Sequence, residues 1–295
     1  MLGAARDRER AHDAAQGMML GMAAGEAIGG EAGLPFTWHA LALAETLGEL
    51  GRPVPAQVVA RWLQIPLEHR LAPSSTTGIA LRMAAKGLAI GELGPAAAAV
   101  AGVGALDLPL VRSLPVALAA SRSGAATRAW AQLAAGITHG ERLAQLAAVA
   151  TALLARDLLS LELDDGLVRV SQAIREDAPE SFQRHLRRPE PGAGLPDGAE
   201  APAVLGAAVA ALAEAGSWME AVGAASSRWE PHDQLPALVG GLAGARWGRA
   251  GVDSSGLAQV PAELRTRLLA AAQLAGSGPV EEPLAPSGWA WGPPG

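Results

Sequence analysis

The chain has 295 residues, of which 50% are hydrophobic and 18% charged, with a mean hydropathy of +0.20. That is too apolar for a chain disordered throughout, and it is long enough to bury a sizeable core. A net charge of −6 and a pI near 5.6 argue against nucleic acid as a partner, and the absence of cysteine excludes disulfides, thiol catalysis and Cys-based zinc sites.

Alanine, the best helix former, dominates. Tyrosine is absent and Phe occurs twice, so the eight Trp supply nearly all the aromatic bulk and β-favouring aromatics are scarce. An all-α fold of helices packed on helices is expected. The N-terminal run MLGAARDRERAHDAAQG is charged and does not read as a signal peptide. The longest apolar stretch, Leu143 to Ala155, is interrupted by Gln145 and Thr151, whereas a bilayer span needs about 20 apolar residues. A cytoplasmic protein with no membrane partner is expected.

Helical periodicity predicts helices over 9–29, 36–50, 55–65, 76–91, 94–101, 108–121, 124–138, 140–158, 162–187, 202–215, 217–227, 234–249 and 261–275. Thr37 is placed to cap the helix from Trp38, Ser217 to cap the one from Trp218, and Pro55 to open a first turn. Glu162, Asp164 and Asp165 sit near a helix start, where acids suit the dipole. The basic run Arg184 to Arg188 reads as a solvated helix end. The segment Arg188 to Pro202, RPEPGAGLPDGAEAP, reads as an exposed loop or linker. Residues 277–295 hold five Pro and no helical period, so a disordered or loosely docked tail is expected behind a helical domain spanning 1–276. Trp289 and Trp291 in that tail read either as docking groups or as part of a solvated extension. No repeat of fixed period is present, nor any GxSxG, HExxH, Walker A or strand-following GxGxxG pattern.

Four segments carry a resemblance. Gly17 to Gly29 reads GMMLGMAAGEAIG, with Gly21, Gly25 and Gly29 on one helix face, a spacing that suits close helix crossing. Thr37 to Leu47 reads TWHALALAETL, and Pro73 to Gly87 reads PSSTTGIALRMAAKG. Ile137 to Leu154 (ITHGERLAQLAAVATALL) and Pro231 to Gly248 (PHDQLPALVGGLAGARWG) complete the set. In order and spacing these resemble the ADP-ribosylglycohydrolase family, whose segments read GxLLGxAxGDALG, TDDTQMALALAEAL, GNGSAMRxAPLG, LTHxxPxA and DTDTxAAIxGALAGA. The resemblance implies an all-α, single-domain compact orthogonal bundle with a cleft holding two magnesium ions, where a glycosidic bond between ADP-ribose and a protein side chain is hydrolysed.

The same resemblance implies that the metal ligands are depleted. Magnesium needs oxygen ligands in near-octahedral geometry, and two such ions need several carboxylates to offset their repulsion. The family draws these from TDD and DTDT. Aligned on Ala40 to Glu45, TDD falls on Leu34, Pro35 and Phe36, while Thr37 keeps the next family Thr. Another register sets Thr37, Trp38 and His39 on TDD, again without either Asp. DTDT falls on Pro231, His232, Asp233 and Gln234, so one carboxylate remains. Glu26 replaces the Asp of GDALG, and the loop that would carry a further metal-binding Glu is shortened, with Glu31 the nearby candidate.

No dinuclear magnesium site is therefore expected; Thr37, His39, His232 and Asp233 are read as remnants at the old site, and magnesium is a cofactor only if that site survives. Each has a plainer reading: His39 as a packed side chain, Asp233 as a helix N-cap. Glu31 and Asp233 are the candidates for catalytic acids in a remodelled or single-metal hydrolase. Ser75, Thr76, Thr77 and Gly78 match the loop that holds ribose and phosphates in the family, and backbone N–H groups at a helix start attract phosphate. Read alone, the same residues make an ordinary capping turn. His139 matches the family TH motif lining the cleft, or else is a helix-end His. The cleft is either open or filled by Phe36 and Trp38; large apolar residues at former ligand positions suggest filling, which would stabilise by about 2 kcal/mol for each one buried. Three functions are compatible with these readings: a degenerate relative binding an ADP-ribose-like molecule or a protein partner, an active hydrolase with an altered site, or an interaction scaffold.

Overall fold

The computed structural model describes residues 2–30, 33–101, 109–187, 200–228 and 234–274. Among the described residues there are fifteen α-helices and no strand. In chain order they are α1 (Leu2–Ile28), α2 (Pro35–Leu50), α3 (Pro55–Gln64), α4 (Thr76–Ala85), α5 (Ile90–Ala101), α6 (Leu110–Ala119), α7 (Gly124–Gly136) and α8 (Arg142–Leu158). Next come α9 (Leu163–Ala173), α10 (Glu180–Leu186), α11 (Ala201–Glu214), α12 (Trp218–Arg228), α13 (Leu235–Trp247), α14 (Ser254–Gln259) and α15 (Ala262–Ala272). Among the described residues no helix is long and apolar enough to cross a membrane.

The axis of the bundle is the crossing of α13 with the C-terminal half of α1. It is built from glycine. A Cβ on Gly17 would strike the backbone of Gly244, one on Gly21 that of Gly240, and one on Gly25 that of Pro236. The i, i+4 spacing of Gly17, Gly21 and Gly25 thus becomes a groove in which the second helix lies backbone to backbone. Trp218 plugs the flank of this crossing, fully buried, and its Nε1 donates to the Gly240 carbonyl at 2.9 Å. Around the axis, α6 packs between α2 and α8, α11 against α13 and α8, and α14 and α15 against α1.

Local chemistry sets most of the ends. Pro55 opens α3, and Ser217 Oγ accepts from the Glu220 N–H at 3.3 Å. The helix expected over 76–91 stops at Ala85, because Gly87 takes φ +89° and turns the chain. The single helix expected over 162–187 is two, α9 and α10, separated by residues 174–179. Ala178 precedes Pro179, and the residue before a proline is pushed out of the α region. Asp164 and Asp165 occupy the first turn of α9. The loop expected over 188–202 ends sooner, since Ala201 and Pro202 are buried in the first turn of α11; residues 188–199 and the tail 277–295 lie outside the described residues. No helix is expected from the sequence where α14 forms, which Asp253 caps by accepting from the Ser255 and Gly256 N–H groups at 2.7 and 3.0 Å.

Candidate functional site

The end of α1 meets the start of α2 through one carboxylate. Glu26 is fully buried. Its Oε1 accepts from the Phe36 N–H at 2.8 Å, and its Oε2 accepts from the Thr37 N–H at 2.8 Å and the Thr37 hydroxyl at 2.6 Å. A negative charge at a helix N-terminus is favoured by the helix dipole as well as by these bonds. Thr37 is therefore not the helix cap expected from sequence. The helix begins two residues earlier at Pro35, and the capping oxygens come from another helix. Leu34 leads in with φ 54° and ψ 50°, a left-handed conformation unusual for a branched side chain.

Leu34, Pro35 and Phe36 are buried and offer no side-chain oxygen. Trp38 is half-buried at the edge. It stacks on His69 with ring centroids 5.0 Å apart, and the Arg267 guanidinium lies 4.9 Å from its ring centroid. His69 is held by its Nδ1, which donates to the Gly33 carbonyl at 2.8 Å. Arg267 is held by Glu45, at 2.6 and 2.9 Å.

One turn into α2, His39 is buried, and its Nδ1 donates to the Pro35 carbonyl at 2.8 Å. Its ring tilts against Trp62 of α3 at 6.0 Å, and Trp62 Nε1 donates to the His39 carbonyl at 3.0 Å. The other face of this neighbourhood is Arg112 of α6. Its guanidinium lies 5.1 Å from the Trp62 ring centroid, a cation–π geometry. Arg112 Nη1 donates to Thr77 Oγ1 at 2.6 Å, and Nη2 donates to Thr138 Oγ1 and reaches His139 Nδ1 at 3.0 Å.

Arg112 thus joins two of the sequence candidates, Thr77 and His139, that lie 62 positions apart in the chain. The others at the α4 start lie beside Thr77: Ser75 is the N-cap, its Oγ accepting from the Gly78 N–H at 3.0 Å, and Thr76 is buried with its hydroxyl making no hydrogen bond among the described residues. Gly78 is closely packed, since a Cβ there would strike the Ala72 carbonyl. Glu31, His232 and Asp233 lie outside the described residues. Sequence reasoning does not single out Arg112, whose signal is a lone charge in the run LPLVRSLPVALAA. A groove of about 790 Å³ between α9 and α10 is lined by none of these residues.

These side chains can be tested against a pair of magnesium ions. Glu26 already commits both oxygens to N–H and O–H donors, and the side chains of Leu34, Pro35 and Phe36 are carbon alone. Among the described residues no group of three or more His, Cys, Asp or Glu side chains converges as a metal site. At this position the described residues supply one carboxylate, Glu26, and the candidates Glu31, His232 and Asp233 lie outside them. The described side chains make a buried polar chain running from Glu26 through the start of α2, Trp62 and Arg112 to Thr138 and His139.

A profile of the ADP-ribosylglycohydrolase family matches residues 7–283. No curated protein matches the chain. Among solved structures 45 chains match. One of these, described as an ADP-ribosylglycohydrolase-related protein complex, is 25% identical with a TM-score of 0.70, and the match covers 90% of this chain and 99% of that one. The all-α architecture and a family match over nearly the whole length agree, and this chain belongs to the ADP-ribosylglycohydrolase family.

Proposed function

We propose that this chain is a degenerate ADP-ribosylglycohydrolase, which keeps the family fold and binds an ADP-ribose-like molecule or a protein partner without a dinuclear magnesium centre. The observation that carries this reading is the use of Glu26 as a helix cap beside three residues, Leu34, Pro35 and Phe36, that present no side-chain oxygen to a metal. A carboxylate that accepts three hydrogen bonds in a buried setting has little capacity left for a cation, and pulling it away would strand two buried N–H groups. Thr77 and His139, the two ligand-binding candidates from the sequence, lie together on Arg112.

The test is calorimetric titration of ADP-ribose into the protein, with magnesium and with chelator, beside an assay for release of ADP-ribose from a modified protein. Binding that is indifferent to magnesium, without release, is the expected result. Magnesium-dependent binding or turnover would overturn the reading and favour a remodelled site using His39, His232, Asp233 or Glu31. No binding in either condition would leave the protein-partner role as the surviving part.

A further inference from the structure

We propose that His12, Gln16 and Arg249 form a pH-sensitive tie between α1 and the turn that follows α13, in which Arg249 sets the Gln16 amide and the amide requires a neutral His12. Gln16 Nε2 stands 2.8 Å from His12 Nε2, one helical turn away on α1. Gln16 Oε1 accepts from Arg249 Nη1 at 3.2 Å. A guanidinium can only donate, so the amide turns its oxygen to Arg249. Its NH2 group, which also can only donate, then faces the imidazole. His12 Nε2 must therefore offer a lone pair, and the single ring proton sits on Nδ1.

An imidazolium carries an N–H on both nitrogens. Once His12 is protonated, its Nε2–H meets the amide N–H, and the two bonds can no longer coexist. Either the ring leaves Gln16, or the amide turns its oxygen to the ring and lets go of Arg249. In both cases acid removes one of the two bonds. The tie lies at the end of the α1–α13 crossing, where a Cβ on Gly17 would strike the backbone of Gly248 and Arg249. It therefore joins α1 to the turn Arg249–Gly251 where their backbones already touch. The charged groups around it, among the described side chains, come from both elements. On α1 they are Glu9, one turn before His12, and Asp13, whose carboxylate lies against Gly248. From the facing turn there is Arg249. Arg246 of α13 is held on the Leu212 carbonyl, and Arg10 pairs with Glu162.

His12 and Gln16 are half-buried and Arg249 is exposed, so substituting them leaves the core intact. The experiment is long-range proton–nitrogen NMR of the full chain, titrated from about pH 8 to about pH 5, a range bracketing the ordinary His value. His12 is assigned by its loss in H12Q, and the Gln16 amide by its loss in Q16L. At the alkaline end His12 is expected to show Nδ1–H with Nε2 bare, the pattern His69 supplies as a reference because its Nδ1 donates to the Gly33 carbonyl. An Nε2–H ring, or a mixture of tautomers, would overturn the proposal. In R249M the amide is free to turn and both tautomers should appear, whereas R249K keeps a donor and should keep the single form. A single Nδ1–H form in R249M would sink the idea. On acidification the Gln16 amide signals should move together with the His12 ring, and in H12Q they should stay still. Amide signals that ignore the His12 titration would show that no tie is broken. Signals that still move in H12Q would pass the response to Glu9 or Asp13, and the proposal would fail.

Discussion

Glu26 and Thr37 are joined twice, the Thr37 N–H and hydroxyl both donating to Glu26 Oε2, at 2.8 and 2.6 Å. The carboxylate at the end of one helix is thus the N-terminal cap of the next, across a bend that includes two consecutive left-handed residues, Gly33 and Leu34. Leu34 tolerates that conformation because the cap fixes the first turn of α2 immediately after it.

Removing the cap should be costly. Each hydrogen bond to a charged acceptor is worth about 1.5–3 kcal/mol, and a buried N–H left alone bears its full desolvation penalty. E26A should therefore lose roughly 3 kcal/mol or more by the same measure, seen as a lower urea midpoint with an unchanged slope. T37V removes only the hydroxyl's bond to the carboxylate and should lose about 1.5–3 kcal/mol. If E26A unfolds at the wild-type urea concentration, the carboxylate is not what sets the start of α2.

The glycines of the α1–α13 crossing should behave differently from one that only looks similar. A Cβ on Gly240 would strike the backbone of Gly21 and Gly25, which cannot swing aside as a side chain does. G240A should lie at or beyond the upper end of the range typical of overpacking, about 3 kcal/mol or more. Gly223, in α12, would have nothing within 4 Å of an added Cβ. There, alanine should stabilise by about 0.5–1 kcal/mol, through helix propensity alone. Thermal melts of the two variants should move in opposite directions, and movement of both downward would contradict the packing account of Gly223.

How far the fold and the site are legible in the sequence depends on the range of each interaction. The i, i+4 glycines of α1 and the Pro55 and Ser217 helix starts are local patterns, and the structure has them where the pattern puts them. The break at Pro179 is equally local, but the apolar period runs across it and masks it. The Glu26 cap is not legible, because its donors sit 10 and 11 residues on, beyond a bend. Arg112 is the extreme case. Its partners Thr77 and Thr138 lie 35 and 26 residues away on opposite sides in the chain, so no short window of sequence contains the constellation. The two ends of it, Thr77 and His139, are reached through family resemblance, and the residue that joins them is not.

Mild acid should loosen the α10–α11 contact. His185 packs against Gly206 of α11, and its pKa is lowered from 6.5 by burial first and by Arg184 second, against an opposing pull from Glu200. The folded state therefore prefers the neutral ring. As pH falls below 6.5, the unfolded chain takes up a proton before the folded one does, and stability is lost until the folded ring also titrates. Urea midpoints between about pH 7.5 and 5.5, a window bracketing the ordinary His value, should fall for the wild type, and H185Q should show a shallower fall. Parallel profiles for the two proteins would assign the pH dependence to other groups.

Trp62 should be coupled to Arg112 in a way that bulk alone does not explain. The ring is fully buried, its Nε1 bonds the His39 carbonyl, and its face lies 5.1 Å from the guanidinium carbon. W62F keeps an aromatic plug but removes the indole donor from that carbonyl and weakens the cation–π contact, since indole is the best such partner. A loss of about 0.5–1.5 kcal/mol is expected for that hydrogen bond, since the His39 carbonyl, inside α2, keeps its intrahelical donor. The coupling is read from a double-mutant cycle of W62F with R112M. Residues in contact show interaction energies of about 0.5–3 kcal/mol, whereas independent sites add to within about 0.5. Non-additivity in the upper part of that range would establish that the indole helps to hold the guanidinium where it meets His139. Additive losses would mean that the guanidinium is held without help from the indole, and that Trp62 serves α2 and α3 only.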